Sequence, residues 1–356
     1  MRFARRLLAF CICVFTATTA SAADLLLAIN KGDQTLAIVD AATLKVLGTA
    51  PTGPDPHEVV ASADGKLAYI TNYNSGNGFA NSLSVVDLVA MKALPPIDLG
   101  ALGRPHGIAL ADGKVYFTAE GAKVVGRYDP DTRRVDMVIG TGQDRTHMVI
   151  VSSDQKTLFT TNVSSATVSI LEQFTVTRRG GPPPGTPPPG AVARGAVGRG
   201  AAPPAATDWR VTVVPVGTGA EGFDLSPDGR ELWVANAQGG SVSIVNVAKK
   251  VAETLSVRFR SANRLKFTPD GKYALISDLG GTEVIVMDAA TRQEIKRIDV
   301  GGGAAGIQMS PDGSRAFAAV GSLNGVAIID LKTLLMTGRI ATGPGPDGLA
   351  WVTGSR

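Results

Sequence analysis

The chain has 356 residues, 44% hydrophobic and 19% charged, which is the balance of a globular protein and excludes a disordered one. Aromatic residues make up only 5%, too few for a surface that stacks single-stranded nucleic acid. The formal charge of +4 owes much to Arg2, Arg5 and Arg6; without them 35 − 3 = 32 basic residues face 31 acidic ones, so no nucleic-acid partner is expected.

Residues 1–22 read as a cleaved secretory signal. The three arginines precede an apolar run, LLAFCICVF, and small residues follow, ending Ala20-Ser21-Ala22. The run is too short to span a bilayer. Phe10 before Cys11 is not the small residue of a lipoprotein cleavage site. A soluble, monomeric, periplasmic or secreted product with no membrane span is expected. Both cysteines lie in this segment, so the remaining chain must rest on packing rather than disulfides.

The rest of the chain repeats. An Asp-Gly mark, or a close variant, recurs at Asp64, Asp112, Asp154, Asp228, Asp270 and Asp312, in steps of 48, 42, 74, 42 and 42 residues. Each mark opens a phrase such as SADGKLAYITN or SPDGRELWVAN, and an alternating phrase follows, such as SLSVVDL or GVAIIDL. Such a period means one supersecondary unit copied along the chain. In the first unit Val59–Ala61 begins a strand; LAYIT, SLSVVDL and ALPPIDL supply three more, with Gly, Asn and Asp at the turns. Four strands in about 42 residues is the arithmetic of a β-propeller blade. The segment after residue 22 carries a second, third and fourth strand without a first; the C-terminal PDGLAWV is a first strand without the others. Joined, they make a seventh blade and leave no open sheet edge. The expectation is an all-β, seven-bladed propeller in a single domain over 23–356, which is 356 − 22 = 334 residues.

The long step holds 74 − 42 = 32 surplus residues. They match the Pro/Gly/Ala-rich stretch Arg178 to Asp208, whose composition predicts disorder. The stretch joins a third strand to a fourth, so it is expected on the face opposite the site described below. It is read as a tolerated loop insertion; a basic partner-binding tether is the alternative.

The phrases YITN at Tyr69–Asn72, FTTN at Phe159–Asn162 and WVAN at Trp233–Asn236 resemble the YVTN-type repeat of YncE-like bacterial periplasmic β-propellers. The resemblance covers the chain after residue 22 except the insertion. It implies the propeller fold and says little of activity. In one blade NYNSGN, following PHEV, is also similar to seven-bladed lactonases of the phosphogluconolactonase kind.

All three histidines occupy one phase of the repeat. His57 and His147 lie seven residues before their marks, and His106 lies six before Asp112. Glu221, Asn263, Ala305 and Asp347 hold the same place in the other blades. These positions begin each innermost strand, so they should rim one mouth of the central channel. Three imidazoles with acidic groups near them suit a divalent metal, so His57, His106 and His147 are candidate metal ligands. Histidines on propeller inner strands hold iron in carotenoid-cleaving oxygenases, an architectural likeness only. The same rim suits a metal-free ligand or acid–base site, and it also suits a structural channel mouth in which histidine serves the turn. The second strand returns to this face, which brings Glu120, Tyr73, Asn72, Asn162, Asn236 and Asp278 near, with Arg104, Arg145 and Arg264 beside the rim. The recurring Asn is read first as a turn-former.

GTGAEG at Gly217–Gly222 and GGGAAG at Gly301–Gly306 fit a dinucleotide fingerprint, but a strand rather than a helix follows each, so no nucleotide is expected. No haem-attachment, zincin or hydrolase-elbow motif occurs. The function expected is binding, at the three-His mouth, of a metal ion, small molecule or periplasmic partner. The alternative is an enzyme at the same rim, either a lactonase-like hydrolase or a metal-dependent lyase or oxygenase.

Ala20 and Ala22 satisfy the small-residue requirement of signal cleavage, so the exported protein is expected to begin at Ala23. Mass spectrometry of exported protein that finds Met1 or Cys11 retained would refute this.

Overall fold

Two Asp-centred turns recur in the blades. At the tip between first and second strands, Asp64 Oδ1 accepts from Ser62 Oγ at 2.6 Å and from Lys66 N at 3.1 Å. The same clasp forms at Asp154, Asp228, Asp270 and Asp312. Between third and fourth strands, Asp40, Asp288 and Asp330 each accept from the backbone N–H and hydroxyl of a threonine three residues on. Side chains that satisfy turn backbone in this way let short strands reverse without leaving orphan polar groups.

Between these turns, in a computed structural model that describes residues 23–76, 78–176 and 206–354, seven four-stranded antiparallel sheets form a ring. Blades 1 to 6 take their innermost strands from Pro56–Ala61, Pro105–Ala111, Thr146–Val151, Ala220–Leu225, Ala262–Phe267 and Ala304–Met309. Blade 7 pairs Pro346–Val352 with Leu25–Asn30, followed by Thr35–Asp40 and Val46–Pro51. The seven-bladed fold and the joining of the two chain ends are as the repeats predicted. One three-residue 3-10 turn, Gly321–Leu323, is the sole helical element among the described residues. No helix there is long and apolar enough to cross a membrane.

Apolar packing follows the ring. Seven buried clusters form, one between each pair of neighbouring blades: Leu275 and Val284 of blade 5 meet Ala316 and Ile329 of blade 6, and Leu27 and Ile38 of blade 7 meet Ile70 and Val86 of blade 1. A β-strand points alternate residues to opposite faces, so each middle strand feeds two interfaces at once.

The structure departs from the sequence expectation in two hairpins. In blade 1, Leu67–Ser75 and Gly78–Asp87 run past the LAYIT and SLSVVDL phrases and carry Phe79 out beyond the sheet, 59% exposed. In blade 3, Thr167–Val176 pairs with Ala206–Pro215 through Val176↔Ala206. Ala206, Thr207 and Asp208, assigned to the insertion by composition, are therefore strand residues and form the last three pairs of a ten-pair ladder. Residues 1–22 and the rest of the insertion lie outside the described residues.

At the inner strands the chain is held by hydroxyls. Thr118 Oγ1 accepts from Gly107 N at 2.9 Å within blade 2 and donates to His147 O of blade 3 at 2.6 Å. Both partners are buried, and Thr118 is fully so. Thr118→Val keeps the shape but strands a donor and an acceptor, so it should lower unfolding free energy by about 1–3 kcal/mol. Urea unfolding monitored by tryptophan fluorescence checks this; a change within 0.5 kcal/mol, roughly the range of inconsequential surface changes, would mean the bridge carries no load.

Candidate functional site

The mouth is built by a bulge repeated in the inner strand of all seven blades, in blade 7 between Pro346 and Leu349. In blade 1, Pro56 pairs with Asn72 and Val59 with Ile70, so His57 and Glu58 stand opposite the single residue Thr71. The same slip occurs at Pro105/Ile108, Thr146/Val149, Ala220/Phe223, Ala262/Leu265 and Ala304/Ile307. A bulge bends the strand and re-aims the residues it releases. Here it turns His57, His106, His147, Glu221, Asn263, Ala305 and Asp347 onto a cavity of about 500 Å3 at the channel mouth.

Blade-to-blade spacing at the bulge is set by threonines. Thr71 donates to His106 O at 2.7 Å, Thr118 to His147 O at 2.6 Å and Thr161 to Glu221 O at 2.6 Å. The next residue of the strand comes so close to the neighbouring blade that Gly107, Gly222, Gly306 and Gly348 have no room for a Cβ; one at Gly348 would lie 2.2 Å from His57 O.

The three imidazoles form a row along blades 1 to 3. His57 and His106 ring centroids are 4.6 Å apart, His106 and His147 3.6 Å apart, and Tyr73 leans on the row 4.6 Å from His57. His147 is wedged between carboxylates. Its Nδ1 is 2.6 Å from Glu120 Oε1, and its Nε2 is 2.5 Å from Glu221 Oε2, but off the hydrogen-bond axis, so that contact acts as charge on charge. Tyr73 donates its hydroxyl to Glu120 Oε2 at 2.5 Å. At the other end of the row, Lys31 Nζ lies 2.7 Å from His57 Nε2, 3.1 Å from Asp55 and 3.7 Å from Asp347.

The charges sort themselves accordingly. Burial lowers the pKa of His147, but the Glu221 charge and the Glu120 hydrogen bond outweigh it and raise the ring above its ordinary 6.5. Against burial, His147, Arg264 and Arg145 hold Glu221 at about 2. Burial, then the His147 and His57 charges, push His106 well below 6.5, so it is neutral; its Nδ1 is buried without a hydrogen-bond partner. Burial and Glu120 push Tyr73 up to about 12.

An ion pair forms the floor. Arg264 of blade 5 reaches across the bore to Glu58 of blade 1, with Nε 3.1 Å and NH2 2.5 Å from Oε1. Below the pair lies a second cavity of about 340 Å3, lined by inner-strand residues such as Ile108, Met148, Phe223, Leu265 and Ile307. The opposite arc of the mouth is bare: Gly303, Ala305, Gly321, Ser322 and Gly345 of blades 6 and 7 line it.

Seven of the eight candidate binding residues therefore line one cavity, and the eighth, Glu120, stands behind His147. Among the described residues no group of three His, Cys, Asp or Glu is set to hold a metal ion. The histidines stack side by side, and both nitrogens of His147 face carboxylates. Asn72, Asn162 and Asn236 stay within their blades, bonded to Ser84, Ser169 and Ser243, and Asp278 clasps the N–H groups of Arg260 and Ser261. These four are turn and blade fasteners. Lys31, Asp55 and Glu58 were missed. Glu58 had a signal, since it follows the rim position where four other blades have Gly; Lys31 and Asp55 sit in turns of ordinary composition.

No protein-family model and no curated protein matches the chain in sequence. Solved structures match its fold. A Desulfotomaculum acetoxidans protein of unknown function aligns over 93% of this chain and 99% of its own, at TM-score 0.70 and 12% identity. The "putative 6-phosphogluconolactonase" of Bacteroides fragilis aligns over 95% and 99%, at TM-score 0.69 and 17% identity. Kuenenia stuttgartiensis hydrazine synthase aligns over 84% and 90%, at TM-score 0.65 and 20% identity. The chain is thus a seven-bladed propeller among neighbours whose names share no single activity.

The His147 pair makes stability depend on pH. His147 is raised in the fold, so its contribution is complete below about 6.5 and is lost as pH rises through the folded value. Glu221 is lowered, so its contribution is complete above its ordinary 4.5 and is lost as pH falls toward about 2. His147→Gln should cost about 3 kcal/mol near pH 6, where it leaves two buried carboxylates short of a cation, and should flatten the alkaline decline. Urea unfolding from pH 5 to 9 measures both; equal slopes for wild type and variant would refute the pairing.

Proposed function

We propose that this is an exported propeller, allied to the YVTN-type repeat proteins by its YITN, FTTN and WVAN phrases, that binds a small polar organic molecule at the channel mouth. The observation that carries this is the asymmetry of the mouth. His57, His106, His147, Glu221 and Arg264 of blades 1 to 5 line one side with imidazole, carboxylate and guanidinium groups, joined by Lys31 and Asp347 of blade 7, while Gly303, Ala305, Gly321, Ser322 and Gly345 leave an arc of small residues facing them across about 500 Å3. That volume suits a metabolite-sized ligand. Burying so many ionisable groups away from any apolar interface costs stability, which fits a site kept for recognition. The row favours an organic ligand over a metal ion, because a metal would have to draw His147 from both carboxylates.

A second reading is hydrolysis of a lactone at the same mouth. It draws on the name of the Bacteroides fragilis protein and on His106, whose neutral ring and free Nδ1 suit a general base.

Ala305→Trp should fill the bare arc without touching the polar wall. Calorimetry of the purified protein against a panel of sugars, hydroxy acids, lactones and the ions of zinc, manganese and iron tests the proposal. The expected result is one organic class bound by wild type and at least tenfold (about 1.4 kcal/mol) more weakly by Ala305→Trp, with thermal midpoints alike. Metal binding alone, or equal affinities, would overturn it; turnover of a lactone would favour the second reading.

A further inference from the structure

Arg104 and Arg145 occupy the same place in blades 2 and 3, the residue just before the inner strand. Both backbones are left-handed, with φ of 62° and 58°. Asp55 holds that place in blade 1 at 48°, whereas blades 4 and 7 use Gly219 and Gly345 at 75° and 64°. A residue with a Cβ is strained there and glycine is not. Blades 1 to 3 thus keep a charged side chain in a slot that glycine suits, and only on the polar side of the mouth.

The two guanidinium groups lack good counter-ions. Arg104 is held between aromatic rings, 4.4 Å from the Tyr73 centroid and 4.8 Å from that of Phe79 on the extended hairpin. No described carboxylate pairs with it, and its buried Nε has no hydrogen-bond partner. Arg145 also approaches Tyr73, and its carboxylate partners are loose, with Nε 3.6 Å from Glu120 and Nη2 3.8 Å from Glu221. Its side chain is 37% exposed and lines the cavity. Glu120 is already committed to Tyr73 and His147, and Glu221 to His147. Among the lining charges, Lys31, Arg145 and Arg264 outnumber Glu221 and Asp347.

A planar fork fixed by aromatic stacking is preorganised for a carboxylate or phosphate, which it can meet with two hydrogen bonds. We propose that Arg104 and Arg145 form an oxyanion subsite on the lip of the mouth, which holds the carboxylate or phosphate group of a ligand whose body lies over the bare arc. The assignment of the ligand's body rests on the reading of the mouth as a ligand site; the subsite itself does not.

The test uses the full mature protein with four probes: inorganic phosphate, citrate, glucose 6-phosphate and glucose. Phosphorus NMR titration follows the phosphates, and calorimetry follows citrate and glucose. Phosphate or citrate should bind wild type, more weakly as sodium chloride is raised, and at least tenfold more weakly to Arg104→Gln and to Arg145→Gln. Arg104→Lys, which keeps the charge and loses the fork, should fall between. Ala305→Trp should leave inorganic phosphate binding unchanged while weakening glucose 6-phosphate, which separates this subsite from the cavity reading. Should Arg104→Gln fail to fold, the exposed Arg145→Gln decides. Absence of both phosphate and citrate binding, or binding that neither arginine variant alters, overturns the proposal even if glucose binds. A lowered melting temperature of the Arg104 variants with unchanged anion affinity also overturns it, and leaves the stacked arginine as a brace for the hairpin.

Discussion

The placement of every side chain at the mouth depends on the bulge at the start of the inner strands and on the hydroxyls that pin it to the next blade. Apolar clusters bring the blades together, but burial is non-directional and does not fix how far one sheet slides on its neighbour. Thr71, Thr118 and Thr161 do, because each joins a released N–H of its own blade to a carbonyl of the next. Those carbonyls belong to His106, His147 and Glu221, so the pins lie under the residues that need accurate placement. Blades 4 and 6 have Ala235 and Ala319 at the equivalent point, and Ser277 in blade 5 bonds only to Arg264 within its own blade. The ring is therefore pinned most tightly beneath its polar wall.

That wall holds charges that water would otherwise solvate, so each must find a partner nearby. The solution is a chain of contacts from Tyr73 through Glu120 and His147 to Glu221, continued by Arg264 to Glu58 across the bore. No member is independent. Neutralising His147 would leave two carboxylates facing each other, and removing Glu58 would leave Arg264 buried with only its longer contact to Glu221, at 3.6 Å. The Glu58–Arg264 bridge also lies between the two cavities, with Arg264 lining both.

The other side of the ring shows what the repeat permits when no charge is placed there. Asn263, Ala305 and the glycines of blades 6 and 7 keep the same bulges with small side chains, and the space they leave is the cavity. One blade geometry, varied at a single phase, produces both the wall and the room in front of it.

Much of this was legible in the chain. The period of the Asp marks set the blade length, the alternating phrases set four strands per blade, and PDGLAWV with LLLAIN set the closure. Each of these is local chemistry copied along the chain, so counting suffices. The rim series from His57 to Asp347 was legible for the same reason: equivalent positions in a closed ring must converge. Which of those residues touch was not. Glu58 and Arg264 are 206 positions apart and meet only because the bore is narrow enough to span. Lys31 reaches His57 because blades 7 and 1 pack side by side, with the two chain ends joined inside blade 7. The row of stacked imidazoles, in place of three nitrogens turned to one point, follows from side-chain packing at the bulges, and periodicity carries no information about that. Repetition along the chain determined the scaffold and the positions facing the axis; distances across the axis, fixed by seven packed interfaces at once, determined the pairs.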